Sequence, residues 1–150
     1  MRMLFVIAIL GVWGYTAILS QGAKVPSLSL PDQFGRLHRI GEVPDQRLLV
    51  AFDKKAALLC NSYLAKRSPD FLHRHHALFI SCVDGVPQFL VRNFILPQLR
   101  RQKFPILLLY KNSNIFPKKE GALTYIQTLR GKVLRIRYLY DEEDLEKNLP

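Results

Sequence analysis

Two cysteines and four histidines are the side chains in this 150-residue chain that could do covalent or metal chemistry. Cys60 closes the run Leu48-Leu49-Val50-Ala51-Phe52-Asp53-Lys54-Lys55-Ala56-Ala57-Leu58-Leu59-Cys60, an apolar strand leading straight into a helix. A thiol reacts as its thiolate, and the positive end of a helix lowers its pKa. Dithiol exchange needs a second thiol one helical turn away to resolve the mixed disulfide. No Cys-x-x-Cys occurs here, and no Thr-x-x-Cys of the peroxidase kind. Cys82 lies on a second strand-like run, Ala77 to Val83, so both thiols read first as small core hydrophobes. A Cys60–Cys82 bridge stays open, because only geometry decides whether two Cβ atoms approach.

The histidines are His38 and the cluster His73-Arg74-His75-His76. Imidazole is a common metal ligand. However, His73, His75 and His76 sit at a helix end before a strand, where cations offset the negative terminus. No His-x-x-x-His or neighbouring carboxylate cluster supports a metal role for them. Phosphate-binding loops, nucleophile elbows and flavin fingerprints are missing, so no cofactor is expected.

The elements that would position these groups follow from periodicity. Arg47–Phe52, Ala77–Val83 and Ile106–Tyr110 are apolar runs of strand length without polar alternation, as in strands covered on both faces. Residues 54–67 repeat apolar positions at three- and four-residue spacing, the signature of a helix. Ser68-Pro69-Asp70 starts another helix, Pro87 opens a third, and Pro97 interrupts it. Arg130-Gly131 is a tight turn between strands 124–129 and 133–140. Asp141-Glu142-Glu143-Asp144 begins a final helix, its acids suited to the positive helix end. The result is an α/β chain: a three-layer sandwich with a central mixed sheet flanked by helices.

Residues 1–22 stand apart. Arg2 precedes an apolar run over residues 4–19, and no acid or base lies between Arg2 and Lys24. Small residues Ser20 and Gly22 fit cleavage after Gly22. The segment is therefore a secretory signal peptide or an uncleaved N-terminal anchor, with one domain over residues 23–150. Export to the periplasm, or attachment to the inner membrane, is expected. The net charge of +10 favours anionic partners, among them acidic proteins. Arg100-Arg101-Gln102-Lys103 and Pro117-Lys118-Lys119 are short clusters without interleaved aromatics, so nucleic acid is not expected.

The element order and several pieces resemble the thioredoxin-like superfamily, above all its peroxiredoxin-like and periplasmic members. Ser29-Leu30-Pro31-Asp32-Gln33-Phe34-Gly35 is similar to their first hairpin. Leu49-Val50-Ala51-Phe52 resembles the strand before the active site, and Phe104-Pro105 followed by Ile106–Tyr110 resembles the strand after the cis-proline. Arg130-Gly131-Lys132-Val133 with the Asp141 helix resembles the last hairpin and helix. The resemblance puts Ala57 at the attacking cysteine and Cys60 at the resolving one. It implies a cis Phe104–Pro105 peptide beside Ala57, or, in the other alignment, an equivalent near Gly121. Two functions remain open: a non-catalytic binding or assembly module of the cell envelope, or a thiol oxidoreductase using Cys60 alone or with Cys82.

Overall fold

The computed structural model describes residues 18–41 and 44–150. The apolar segment 4–17 lies outside them. Among the described residues seven strands form: β1 (Leu28–Pro31), β2 (Leu37–Ile40), β3 (Asp45–Ala51), β4 (Ala77–Cys82), β5 (Ile106–Leu109), β6 (Leu123–Leu129) and β7 (Lys132–Leu139). β1 and β2 make a separate antiparallel hairpin. The other five make one sheet in the order β5-β4-β3-β6-β7. β3, β4 and β5 run parallel, while β6 runs antiparallel to β3 and β7 to β6. The three apolar runs read from the sequence are thus the three parallel strands.

Alternation along the strands sends side chains to two cores. Leu49, Ala51, Phe79, Ile106 and Tyr125 meet α1 (Lys54–Ala65), α2 (Phe71–Arg74) and α5 (Glu142–Asn148), which contribute Cys60, Phe71 and Leu145. Leu48, Val50, Ile80, Leu107 and Ile126 face the hairpin residues Leu30 and Ile40, together with Leu19 and Val25. The fold therefore takes in residues 18–22, which the sequence assigned to the N-terminal segment. Among the described residues no helix is long and apolar enough to cross a membrane.

Local sequence explains most boundaries. Asp53 and Asp141 cap α1 and α5, each accepting the N–H three residues on at 2.8 Å. Tyr63 of α1 and Arg67, just beyond its end, hold Glu146 of α5 at 2.6 and 2.7 Å. The β6–β7 turn places Arg130 and Gly131 at φ 53° and 77°. Two positive φ angles suit the strand twist, and glycine adopts one without strain. The helix opened by Pro87 is split: α3 (Gln88–Leu90), a π-helical turn (Val91–Ile95) and α4 (Leu96–Leu99). Pro97 has no N–H for Asn93 and crowds its carbonyl, and the Leu96 N–H reaches back to the Val91 oxygen instead.

Two buried polar residues fix the hairpin, Gln33 to the sheet and Asp32 within the hairpin itself. The Gln33 amide donates to the carbonyls of Phe104 (2.8 Å) and Leu99 (3.3 Å), and its oxygen accepts the Ile106 N–H at 2.7 Å. Next to it, the Asp32 carboxylate accepts the N–H groups of Phe34 and Arg36 at 2.8 and 3.0 Å and contacts His38 Nε2 at 2.8 Å. Burial pushes the Asp32 pKa up, but these partners outweigh it and hold the group below its ordinary value.

Two predictions follow from these anchors. Gln33→Leu leaves the Ile106 N–H and Phe104 carbonyl unpaired in the core, and chemical denaturation should register a loss of about 2–4 kcal/mol. Asp32 has a depressed folded pKa, so its contribution is present above the unfolded pKa and lost as pH falls through the folded one. Melting temperatures of the parent and Asp32→Asn should therefore differ at neutral pH and converge in acid.

Candidate functional site

The α1 start is where a catalytic thiol would profit from the helix end. β3 leaves the sheet at Ala51, Phe52 is half-buried, and Asp53 is extended at φ −140°. One Asp53 carboxylate oxygen accepts the Ala56 N–H at 2.8 Å. The other accepts the Gly121 N–H at 2.7 Å. A single carboxylate thus straps the helix start to the loop that enters β6. Gly121 has φ 72°, a conformation strained for residues other than glycine. Asp53, Lys54, Lys55, Glu120 and Gly121 line a shallow hollow. Nearby, Lys119 lies 4.5 Å over the Tyr138 ring and Lys118 5.8 Å from that of Phe52. The hollow offers lysines and two carboxylates, of which Asp53 is engaged, but no thiol.

Ala57 is half-buried on the first turn of α1. Cys60, one turn further, is 0% exposed and packs in the core with Leu49, Ala51 and Phe79. Burial pushes its thiol well above the ordinary pKa. The sulfur sits where desolvation outweighs any help from the helix end, so thiolate is scarce at neutral pH. Cys82 is half-buried and both cysteines are free. It follows Ile80 by two residues in β4 and so points to the hairpin face, whereas Cys60 packs on the helix face. The sheet itself separates the two sulfurs.

Pro105 does not stand beside Ala57. All peptides among the described residues are trans, including Phe104–Pro105. β5 is parallel to β4, with Ile106 level with Phe79 and hence with Leu49. Its first residues lie at the sheet end opposite α1, about 15 Å from Asp53 along the strands at ~3.3 Å per residue. The segment that meets α1 is the start of antiparallel β6: Thr124 pairs with Val50, and Gly121 reaches Asp53. The segment beside the α1 start is thus Gly121-Ala122, which carries no proline.

Pro105 instead joins His38, His73 and His76 around a cleft of about 460 Å³, whose apolar wall includes Leu37, Leu72 and Leu78. His75 lies on an adjoining hollow with Arg47 and Arg74. Its pKa is pushed down by burial and then by those guanidiniums and His76. Among the described residues no group of three or more His, Cys, Asp or Glu could hold a metal ion. Sequence reading missed the strap. Asp53 before an apolar helix is a legible cap signal, but its bond to Gly121, 68 residues on, has no local mark.

Removing the strap tests its weight. Asp53→Ala loses the helix cap and the Gly121 tether together, and a loss of about 1–3 kcal/mol is expected on thermal or denaturant unfolding. Amide exchange should rise at Gly121 and Ala56 before it rises in β3.

No protein-family model matches this sequence, and no curated protein matches it. Solved structures do. The thioredoxin domain of a thiol-disulfide oxidoreductase from Bacteroides vulgatus superposes with a TM-score of 0.53 at 12% identity, over 88% of this chain and 99% of that one. A thiol:disulfide interchange protein from Bacteroides sp. gives 0.52 at 13% identity, over 87% and 91%. A peroxidoxin from Mycobacterium tuberculosis gives 0.51 at 18% identity, over 87% and 94%. At such identities the likeness speaks for the fold. The chain is a thioredoxin-like α/β sandwich that lacks the Cys-x-x-Cys dithiol and has Ala57-Leu58-Leu59-Cys60 on the first turns of α1.

Proposed function

We propose that this chain is an exported, non-catalytic binding or assembly module of the cell envelope. The observation that carries this reading is the placement of Cys60. It is the only thiol on α1, it is fully buried, and its pKa is pushed well up. Ala57 cannot form a mixed disulfide, and Asp53 occupies the gap between α1 and the β6 loop with hydrogen bonds of its own. Export rests on the basic start and apolar run of residues 1–22.

The partner is an acidic protein surface. Arg47 of β3 pairs through Gln127 of β6 with Arg135 of β7, and Arg137 lies beside Tyr125. All three guanidiniums act on the Tyr125 phenol, although burial still holds its pKa above the ordinary value. No carboxylate among the described residues forms an ion pair with them. Such a row of unpaired cations favours anionic partners and speeds their encounter.

The competing reading, a thiol oxidoreductase using Cys60 alone or with Cys82, is tested directly. Insulin reduction and peroxide turnover by the unmodified protein should stay at background, and Cys60 should resist alkylation until the chain unfolds. Cys60→Ser should leave those readings unchanged while costing about 1–3 kcal/mol, because a hydroxyl then lies unpaired in the core. Ala57→Cys should install slow disulfide exchange, since the helix end remains to lower its pKa. Robust turnover abolished by Cys60→Ser would replace the module with a single-cysteine enzyme.

A further inference from the structure

β7 is the outer strand of the five-stranded sheet, with β6 as its neighbour. Chain from before β1 covers the start of its free edge. Gly22 donates to the Val133 carbonyl, Val133 donates to Ala23, and Val25 donates to Gly131, all at 2.8 Å. Lys24 lies antiparallel to Lys132 in the same short ladder. The cover stops at Val133. Leu134 is the extra residue of a bulge, since Gln127 pairs with Arg135 and Thr128 with Val133. Beyond it the strand is regular: Arg135 to Leu139 pair in unbroken register with Gln127 to Leu123. Alternate N–H and C=O groups of such an edge point outward. Among the described residues, no backbone group bonds to the outer side of 135–139.

The two faces of this stretch differ. Arg135 and Arg137 are exposed and stand on the helix face, paired with Gln127 and with Tyr125 of the helix-side core. With Asp144 and Lys147 of α5 they line a hollow of about 530 Å³. Asp144 is taken up by the Tyr140 N–H at 2.9 Å, and Lys147 pairs with Glu143 at 3.3 Å. The two arginines have no carboxylate partner among the described residues. Ile136 and Tyr138 alternate with them on the hairpin face. Both are half-buried, and Ile136 packs on the core there. Lys119 lies 4.5 Å over the Tyr138 ring. Cationic and apolar positions thus alternate along a free edge.

We infer that the edge of Arg135–Leu139 takes up an extended segment of the acidic partner as an added outer strand of the sheet. The inference rests on the acidic-partner reading above and adds how that partner binds. Backbone hydrogen bonds supply the attachment, and side chains at alternate positions supply the choice. Opposite charges directly across a ladder attract, and like charges repel. Carboxylates at every second residue of the partner therefore face Arg135 and Arg137, and apolar residues between them face Ile136 and Tyr138. The same rule excludes a second copy of this chain. Two β7 strands paired about Ile136 would set Arg135 of each against Arg137 of the other. The ladder at 22–25 shows that this edge already accepts antiparallel chain up to the bulge.

The test is a titration of the full chain, held in a nonionic detergent, with a capped peptide of alternating valine and glutamate. Amide NMR and hydrogen exchange are the readouts. Binding should saturate and slow the outward amides of 135–139 several-fold, while amides at 88–95, beside the opposite edge of the sheet, stay unchanged. Two further peptides are N-methylated, one at its valines and the other at its glutamates. One set of amides faces β7 and the other faces solvent, so one peptide should lose binding and the other keep it. Arg135→Glu combined with Arg137→Glu, both at exposed positions, should weaken the glutamate peptide about tenfold or more and admit an alternating valine–lysine peptide. Protected β3 amides in that variant report an intact fold. Equal binding of the two N-methylated peptides, without protection at 135–139, overturns strand addition and leaves an acidic partner held by charge alone. No binding of any glutamate peptide overturns both.

Discussion

The constraint on which the rest depends is the pairing of β3, which is parallel to β4 on one side and antiparallel to β6 on the other. Its last four residues are buried on both faces, so the strand cannot slip without exposing a core. That mixed pairing decides which loops meet. Parallel neighbours bring their C-terminal ends to the start of α1, and the antiparallel neighbour brings its beginning. Gly121 therefore reaches Asp53, while Pro105 is carried to the other end of the sheet.

At the site itself, two effects on a thiol oppose each other. A helix start stabilises a thiolate within its first turn. Burial destabilises it by removing solvent. The thiol sits at the deeper position, one turn inside and turned to the sheet, and the shallower position is alanine. Burial wins there and pushes the Cys60 thiol up.

A few polar side chains hold together segments that no hydrogen-bonded ladder joins. Asp53 bridges α1 and the β6 loop, and Gln33 bridges the hairpin and the start of β5. Asp84 bridges the turn after β4 and the turn after β5. Each satisfies backbone groups that would otherwise lie unpaired at a sheet end. Asp53 and Asp84 do this at the α1 end of the sheet, and Gln33 at the opposite end.

Local pattern by itself determined the elements. The apolar runs at 47–52, 77–83 and 106–110 are β3, β4 and β5, Arg130-Gly131 is the two-residue turn, and Asp141 caps the last helix. The missing dithiol was also legible, because it is a matter of spacing alone. Burial, turn preference and capping act over a few residues, so they leave marks in a few residues. Tertiary structure alone decided that Cys60 and Cys82 face opposite sides of the sheet and that His38, His73, His76 and Pro105 share a cleft. It also decided that Leu19 belongs to the core although it reads as part of an N-terminal segment. These depend on which strand pairs with which, and in which direction. Strand pairing joins residues far apart in the chain, and no short stretch of sequence records it.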